Sequence, residues 1–132
     1  MKKLIVVLLV SCGLFYGASA QTDKNRTTAT KIADLLAKTP ADDSAQLYKN
    51  AAAVADLGEA GITELARQLE NGGDPTRIKD AISGFSFHAT KAGRENWRSL
   101  ATNSYGKALS SLSKPEAQFF LITQLEQVGK DD

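Results

Sequence analysis

Residues 55–82 read ADLGEAGITELARQLENGGDPTRIKDAI, and this stretch decides the fold. Ile62, Leu65, Ala66 and Leu69 follow one another at three- and four-residue steps, the spacing of one apolar helix face. Gly58 precedes them and supplies a left-handed position that ends the helix before. Asn71-Gly72-Gly73 is a turn, after which Asp74 is placed to accept the free N–H groups of a new helix and Pro75 to open it. Ile78 and Ile82 start the next apolar face, which Ala81, Phe85 and Ala89 complete.

Outward from this centre the same alternation of helix and breaker continues, with no two-residue alternation anywhere, so the fold class is all-α. Upstream, a helix is predicted from about Thr28 to Lys38, carrying Ile32, Leu35 and Leu36 and closed by Thr39-Pro40. Pro40 then suits the first position of an alanine-rich helix that runs to about Leu57 and holds Leu47, Tyr48 and Val54. Downstream, Gly93 breaks the pattern. A stripe of Trp97, Leu100, Ala101, Ala108 and Leu112 follows, with Tyr105 and Leu109 at its edge and Gly106 on the opposite face. Ser113-Lys114-Pro115-Glu116 has the order of a capping box. In the last helix Ala117, Leu121, Leu125 and Val128 form the main apolar face, and Phe119 projects roughly 140° away from it.

The first twenty residues differ from the rest. Lys2 and Lys3 precede the apolar run Leu4 to Val10, and Gly17-Ala18-Ser19-Ala20 ends it, the layout of a cleaved secretory signal. The run is too short to span a bilayer, which takes about 20 apolar residues. Leu9-Val10-Ser11-Cys12 also resembles a lipobox, so lipidation at Cys12 is the alternative to soluble export, periplasmic or extracellular. Removing twenty of the 132 residues leaves 112: a polar lead over 21–27 and a helical domain over 28–132. Lys2 and Lys3 leave with the signal, so 14 basic side chains face 15 acidic ones. A near-neutral chain without a basic stripe argues against nucleic acid. No cysteine survives cleavage, which removes disulfides and thiolate metal sites. No transmembrane segment remains.

The segments Ala55 to Ala66 and Asp74 to Ile82 together resemble a HEAT repeat, in which a leucine-glycine pair ends one helix and a capping aspartate with a basic residue opens the partner. Leu121 to Asp132 resembles the first half of the motif again, with Val128-Gly129 followed by acidic residues. The resemblance implies antiparallel helix pairs stacked as a short α-solenoid, incomplete at its C-terminal end, like the N-terminal part of large secreted bacterial HEAT-repeat proteins. The proline usual in the first helix of the repeat is missing, and the segment from Phe87 to Glu95 is long for a tight turn, so an irregular helical bundle stands beside it.

Catalytic chemistry finds little to work with. His88 is the only histidine, with neither a second histidine nor a thiol to share a metal, and it reads as structural. Asp42-Asp43 belongs to a helix start, and Asp131-Asp132 reads as solvated. Ser44, Ser83, Ser86, Ser110, Ser111 and Ser113 lack a base and read as caps or surface groups. Gly72-Gly73 could hold an anion, but Asp74 competes for the same donors. Asn25-Arg26-Thr27 and Asp43-Ser44-Ala45 match short glycosylation patterns and carry little weight. Among the aromatic residues only Phe87 and Phe119 leave the apolar stripes, and they are the candidate interaction surface. The expectation is a non-catalytic interaction or spacer module without a cofactor. Its partner is another protein, or further repeats or domains of the same polypeptide. The alternatives are an accessory start of a secreted carbohydrate-active enzyme and a small ligand-binding bundle.

Overall fold

The computed structural model describes residues 27–71 and 73–130. The expected signal over 1–20, with the possible lipidation site Cys12, residues 21–26 of the expected polar lead, Gly72 and Asp131-Asp132 lie outside the described residues. Six helices occupy the described residues: α1 (Thr28–Ala37), α2 (Ser44–Asp56), α3 (Gly58–Arg67), α4 (Pro75–Ala89), α5 (Glu95–Ser111) and α6 (Pro115–Gly129). There is no strand among them, and the chain is all-α.

Local chemistry accounts for most boundaries. Thr27 accepts the Thr30 N–H through Oγ1 at 3.3 Å and starts α1. Asp74 Oδ1 accepts the N–H groups of Thr76 and Arg77 at 3.1 and 3.3 Å, with Pro75 as the first residue of α4. Gly58 and Gly93 have φ of 69° and 79°, the left-handed region that costs glycine little, and each breaks the chain direction where the sequence reading placed a break.

Three boundaries differ from expectation. Pro40 does not open α2: the Asp43 carboxylate accepts the Gln46 N–H at 2.7 Å, so the helix begins after that stronger cap, and Pro40 stays in the connection. The helix that carries Ile62, Leu65 and Ala66, expected to continue to the Asn71-Gly72-Gly73 turn, runs from Gly58 and closes earlier, at Arg67. Ser113 does not cap α6 through its side chain. Instead the Glu70 carboxylate, arriving from beyond α3, accepts the N–H groups of Ser113, at 2.7 Å, and Lys114. Glu70 thereby takes the Ser113 N–H that the Glu116 side chain would accept in a capping box.

The helices pack chiefly on neighbours two places away, α2 against α4 and α3 against α5, while α5 also lies along α6. α1 makes smaller contacts with α2, α3 and α4, and α6 packs on α4 as well as on α5. α4 touches all five other helices. Its expected stripe is the centre of the core: Ile78, Ala81, Ile82, Phe85 and Ala89 are all buried, against Ile62 and Leu65 of α3 and Leu121 and Val128 of α6 in one cluster. Each large apolar side chain fully buried this way contributes about 1.5–3 kcal/mol relative to exposure.

Two residues assigned to the edge or surface belong to that core. Tyr105 and Ser86 are both fully buried. Ser86 Oγ lies 3.0 Å from the Ile82 carbonyl, to which it donates, and shares a hydrogen bond of 2.8 Å with the Tyr105 hydroxyl. The hydroxyls satisfy one another, which is what lets two polar groups sit among apolar ones.

Candidate functional site

The outer surface carries apolar groups at two places, and each contains one of the residues singled out from sequence. Phe119 is 71 % exposed on α6, and Ile122, three residues on and therefore on the same side, is 43 % exposed. Phe120 beside them is half-buried, with the Lys79 ammonium 5.6 Å from its ring centre. The three-residue step from Phe119 to Ile122 was the signal in the sequence for this pair.

Phe87 belongs to a different group, drawn from α2, α4 and α5. Its ring meets His88 edge to face at 5.2 Å, and His88 meets Tyr48 in the same way at 5.5 Å. Tyr48 stacks on Trp97 with centroids 6.0 Å apart and planes 25° from parallel. Trp97 also contacts the buried Phe85 at 5.7 Å, so the exposed rings stand on the core. Over this surface lie two cations. The Arg94 guanidinium sits 4.6 Å from the Trp97 ring centre and 5.3 Å from that of Tyr48, and it donates to the Tyr48 hydroxyl at 2.5 Å. The Lys91 ammonium is 4.1 Å above Phe87. One turn past Arg94, Arg98 donates to the Thr90 carbonyl at 3.1 Å.

Sequence reasoning found one member of this group. Tyr48, named in the sequence only as one of the larger apolar groups of its helix, is 40 % exposed, and Arg94 lies just after the break at Gly93. The spacing of Arg94 and Trp97, three apart at the start of α5, was the available signal, because it lays a guanidinium over an indole on one helix face.

His88 is enclosed between the two aromatic edges. Its Nε2 is buried without a hydrogen-bond partner among the described residues. Its pKa is lowered from the ordinary 6.5, by burial first and then by the charges of Lys91 and Arg94. A base with a depressed folded-state pKa takes up its proton more readily in the unfolded chain. Its contribution to stability is therefore present above about pH 6.5 and is lost as the pH falls further. Denaturation midpoints measured from pH 7 to pH 5 are expected to fall less steeply in His88→Gln than in the parent chain. Identical slopes would show that His88 does not titrate in this way.

A third feature is an open groove of about 640 Å³ between α1 and α2, lined by Lys31, Lys38 and Lys49 with Asp34 and Asp56 and floored in part by Leu35 and Asn50. Gln46 donates to Asn50 Oδ1 at 2.7 Å, and Asn50 in turn donates to the Lys38 carbonyl at 2.8 Å. Those bonds tie α2 to the end of α1 and use the amides for structure. Among the described residues no three histidine, cysteine, aspartate or glutamate side chains gather to hold a metal ion. No helix among them is long and apolar enough to cross a membrane. Comparison with protein-family models, with curated proteins and with solved structures returns no match.

Proposed function

We propose that this chain is a non-catalytic protein-interaction module of an exported bacterial HEAT-repeat protein. The observation that carries the interaction reading is the outer face of α6, where Phe119 and Ile122 hold apolar surface in water on a helix whose opposite side is fully packed. An exposed phenylalanine adjoining an aliphatic side chain is the kind of centre around which a protein interface forms. A standard interface covers about 800 Å² on each partner, so these two side chains would be its middle rather than its whole extent. The helical-repeat reading is supported by the packing of α2 on α4 and of α3 on α5, and by the cap at Asp74 where the resemblance expects one. Export is supported by the basic, apolar and small-residue order of residues 1–20, which places the module in the periplasm or outside the cell.

A photoreactive amino acid placed at position 119, in the organism that makes the protein, tests these together. The chain is expected in the exported fraction. Irradiation should yield one discrete adduct that a control at the exposed position 106 does not give. The purified partner should then bind the parent chain, and bind Phe119→Ser about tenfold more weakly. Equal binding by Phe119→Ser, or turnover of glycans or peptides by the purified chain, would overturn the reading.

A further inference from the structure

From the Tyr48, Phe87 and Trp97 surface we infer that the chain has a second binding site, for an acidic peptide segment of a partner protein carrying apolar side chains between its carboxylates. The site is separate from the outer face of α6: no ring contact among the described residues joins Phe119 to it.

Charge is the first argument. The ion pairs among the described residues use Arg67, Arg77 and Lys107, and none of them uses Lys91, Arg94 or Arg98. The nearest carboxylate in sequence, Glu95, accepts the Gly93 N–H instead. Lys91 and Arg94 thus stand over one aromatic surface without an ion pair among the described residues, while Arg98 is turned to the Thr90 carbonyl. Lys91 and Arg94 are held in place by aromatic rings, which fix a cation without neutralising it. A guanidinium has five N–H donors, and Arg94 uses one side-chain nitrogen, on the Tyr48 hydroxyl. Its remaining donors and the Lys91 ammonium are matched by carboxylates, which form shorter and stronger bonds to such groups than neutral acceptors do.

Shape selects among anionic partners. A sugar ring binds by lying flat on an aromatic face, but here the faces of Tyr48 and Trp97 meet one another and the Arg94 guanidinium, and Lys91 stands over Phe87. An acidic polysaccharide would have to lift the cations away to stack. A peptide leaves them in place: its carboxylates meet Arg94 and Lys91 from outside, and its apolar side chains cover the exposed edges of Phe87 and Tyr48. Nucleic acid calls for a wider basic surface than two cations on a chain of formal net charge +1.

Trp97 is the only tryptophan, so its fluorescence reports from inside the site. The probe is a decapeptide of alternating aspartate and phenylalanine, titrated into the full chain at low salt. A saturable change in Trp97 emission is expected, weakening as salt rises. Arg94→Gln should reduce affinity about tenfold, the loss of one charge-assisted hydrogen bond set, and Lys91→Gln should reduce it as well. Arg67→Gln, which removes an equal charge elsewhere, should bind as the parent does, and circular dichroism should show every variant folded. Absence of a saturable signal, an equal loss in Arg67→Gln, or tighter Arg94-dependent binding of polygalacturonate than of the peptide would overturn the inference. None of these outcomes bears on crosslinking at position 119, so the two sites stand or fall separately.

Discussion

Phe85→Ala is expected to cost about 3–5 kcal/mol, a large part of the 5–15 kcal/mol that holds a domain of this size together. Phe85 is fully buried at the middle of α4, the helix that every other helix touches, and removing its ring leaves a cavity that fixed neighbours cannot close. The same change withdraws the floor beneath Trp97, whose ring lies 5.7 Å from that of Phe85. Two measurements therefore move together. The urea midpoint falls, with a melting temperature lower by at least about 12 °C at 4 °C or more for each kcal/mol, and the Trp97 emission shifts to the red as water reaches the indole. Phe119→Ala is the contrasting variant. It truncates an equally large ring that is 71 % exposed, and its effect on the isolated chain should stay within about 0.5 kcal/mol. Losses of similar size in the two variants would show that the core is not organised around α4.

That contrast is legible in the sequence, because both residues owe their positions to helical periodicity. Phe85 continues the Ile78, Ala81 and Ile82 spacing, and Phe119 interrupts the spacing of Ala117, Leu121, Leu125 and Val128. Local rules served equally well at Asp74-Pro75, where cap and first residue are adjacent in the chain. They failed where a distant group intervened. Glu70 reaches a backbone 43 residues away and displaces the capping box expected at Ser113. At Pro40 two local signals competed, and the carboxylate of Asp43 prevailed over the proline's preference for a first turn.

Polarity misled at Ser86 and Tyr105. Ser86 follows Ile82 by four residues and therefore shares its face, and Tyr105 stands midway between Ala101 and Ala108. Spacing alone would have buried both, but each has a hydroxyl whose partner is supplied by another helix. The aromatic surface was hidden for the same reason. Tyr48 and Arg94 are 46 residues apart and meet only because α2 packs along α4 and α5 follows α4. A candidate site assembled from three helices leaves no contiguous motif, and the one neighbouring pair it does leave, Arg94 with Trp97, looks in isolation like an ordinary helix start.

Tyr105→Phe is expected to reverse the order of stability between neutral and alkaline solution. At pH 7 the variant loses the hydrogen bond to Ser86 and should be less stable than the parent by about 1 kcal/mol. Burial of the Tyr105 hydroxyl raises its pKa far above the ordinary 10.0, and the hydrogen bond shared with Ser86 works more weakly in the other direction. The folded chain thus keeps a proton that the unfolded chain releases. The stability this contributes is whole below pH 10 and drains away above it, by a factor of about ten in the folding equilibrium for each pH unit. Phenylalanine has no proton to lose and escapes this penalty. Because 1 kcal/mol corresponds to only about a fivefold change in that equilibrium, the two stability curves should cross near roughly pH 11, and by pH 12 the variant should be the more stable chain. Urea midpoints measured for both proteins from pH 7 to pH 12 decide the matter. Curves that stay parallel throughout would mean that Tyr105 ionises as readily in the folded chain as in the unfolded one, which a hydroxyl sealed between α4 and α5 cannot do.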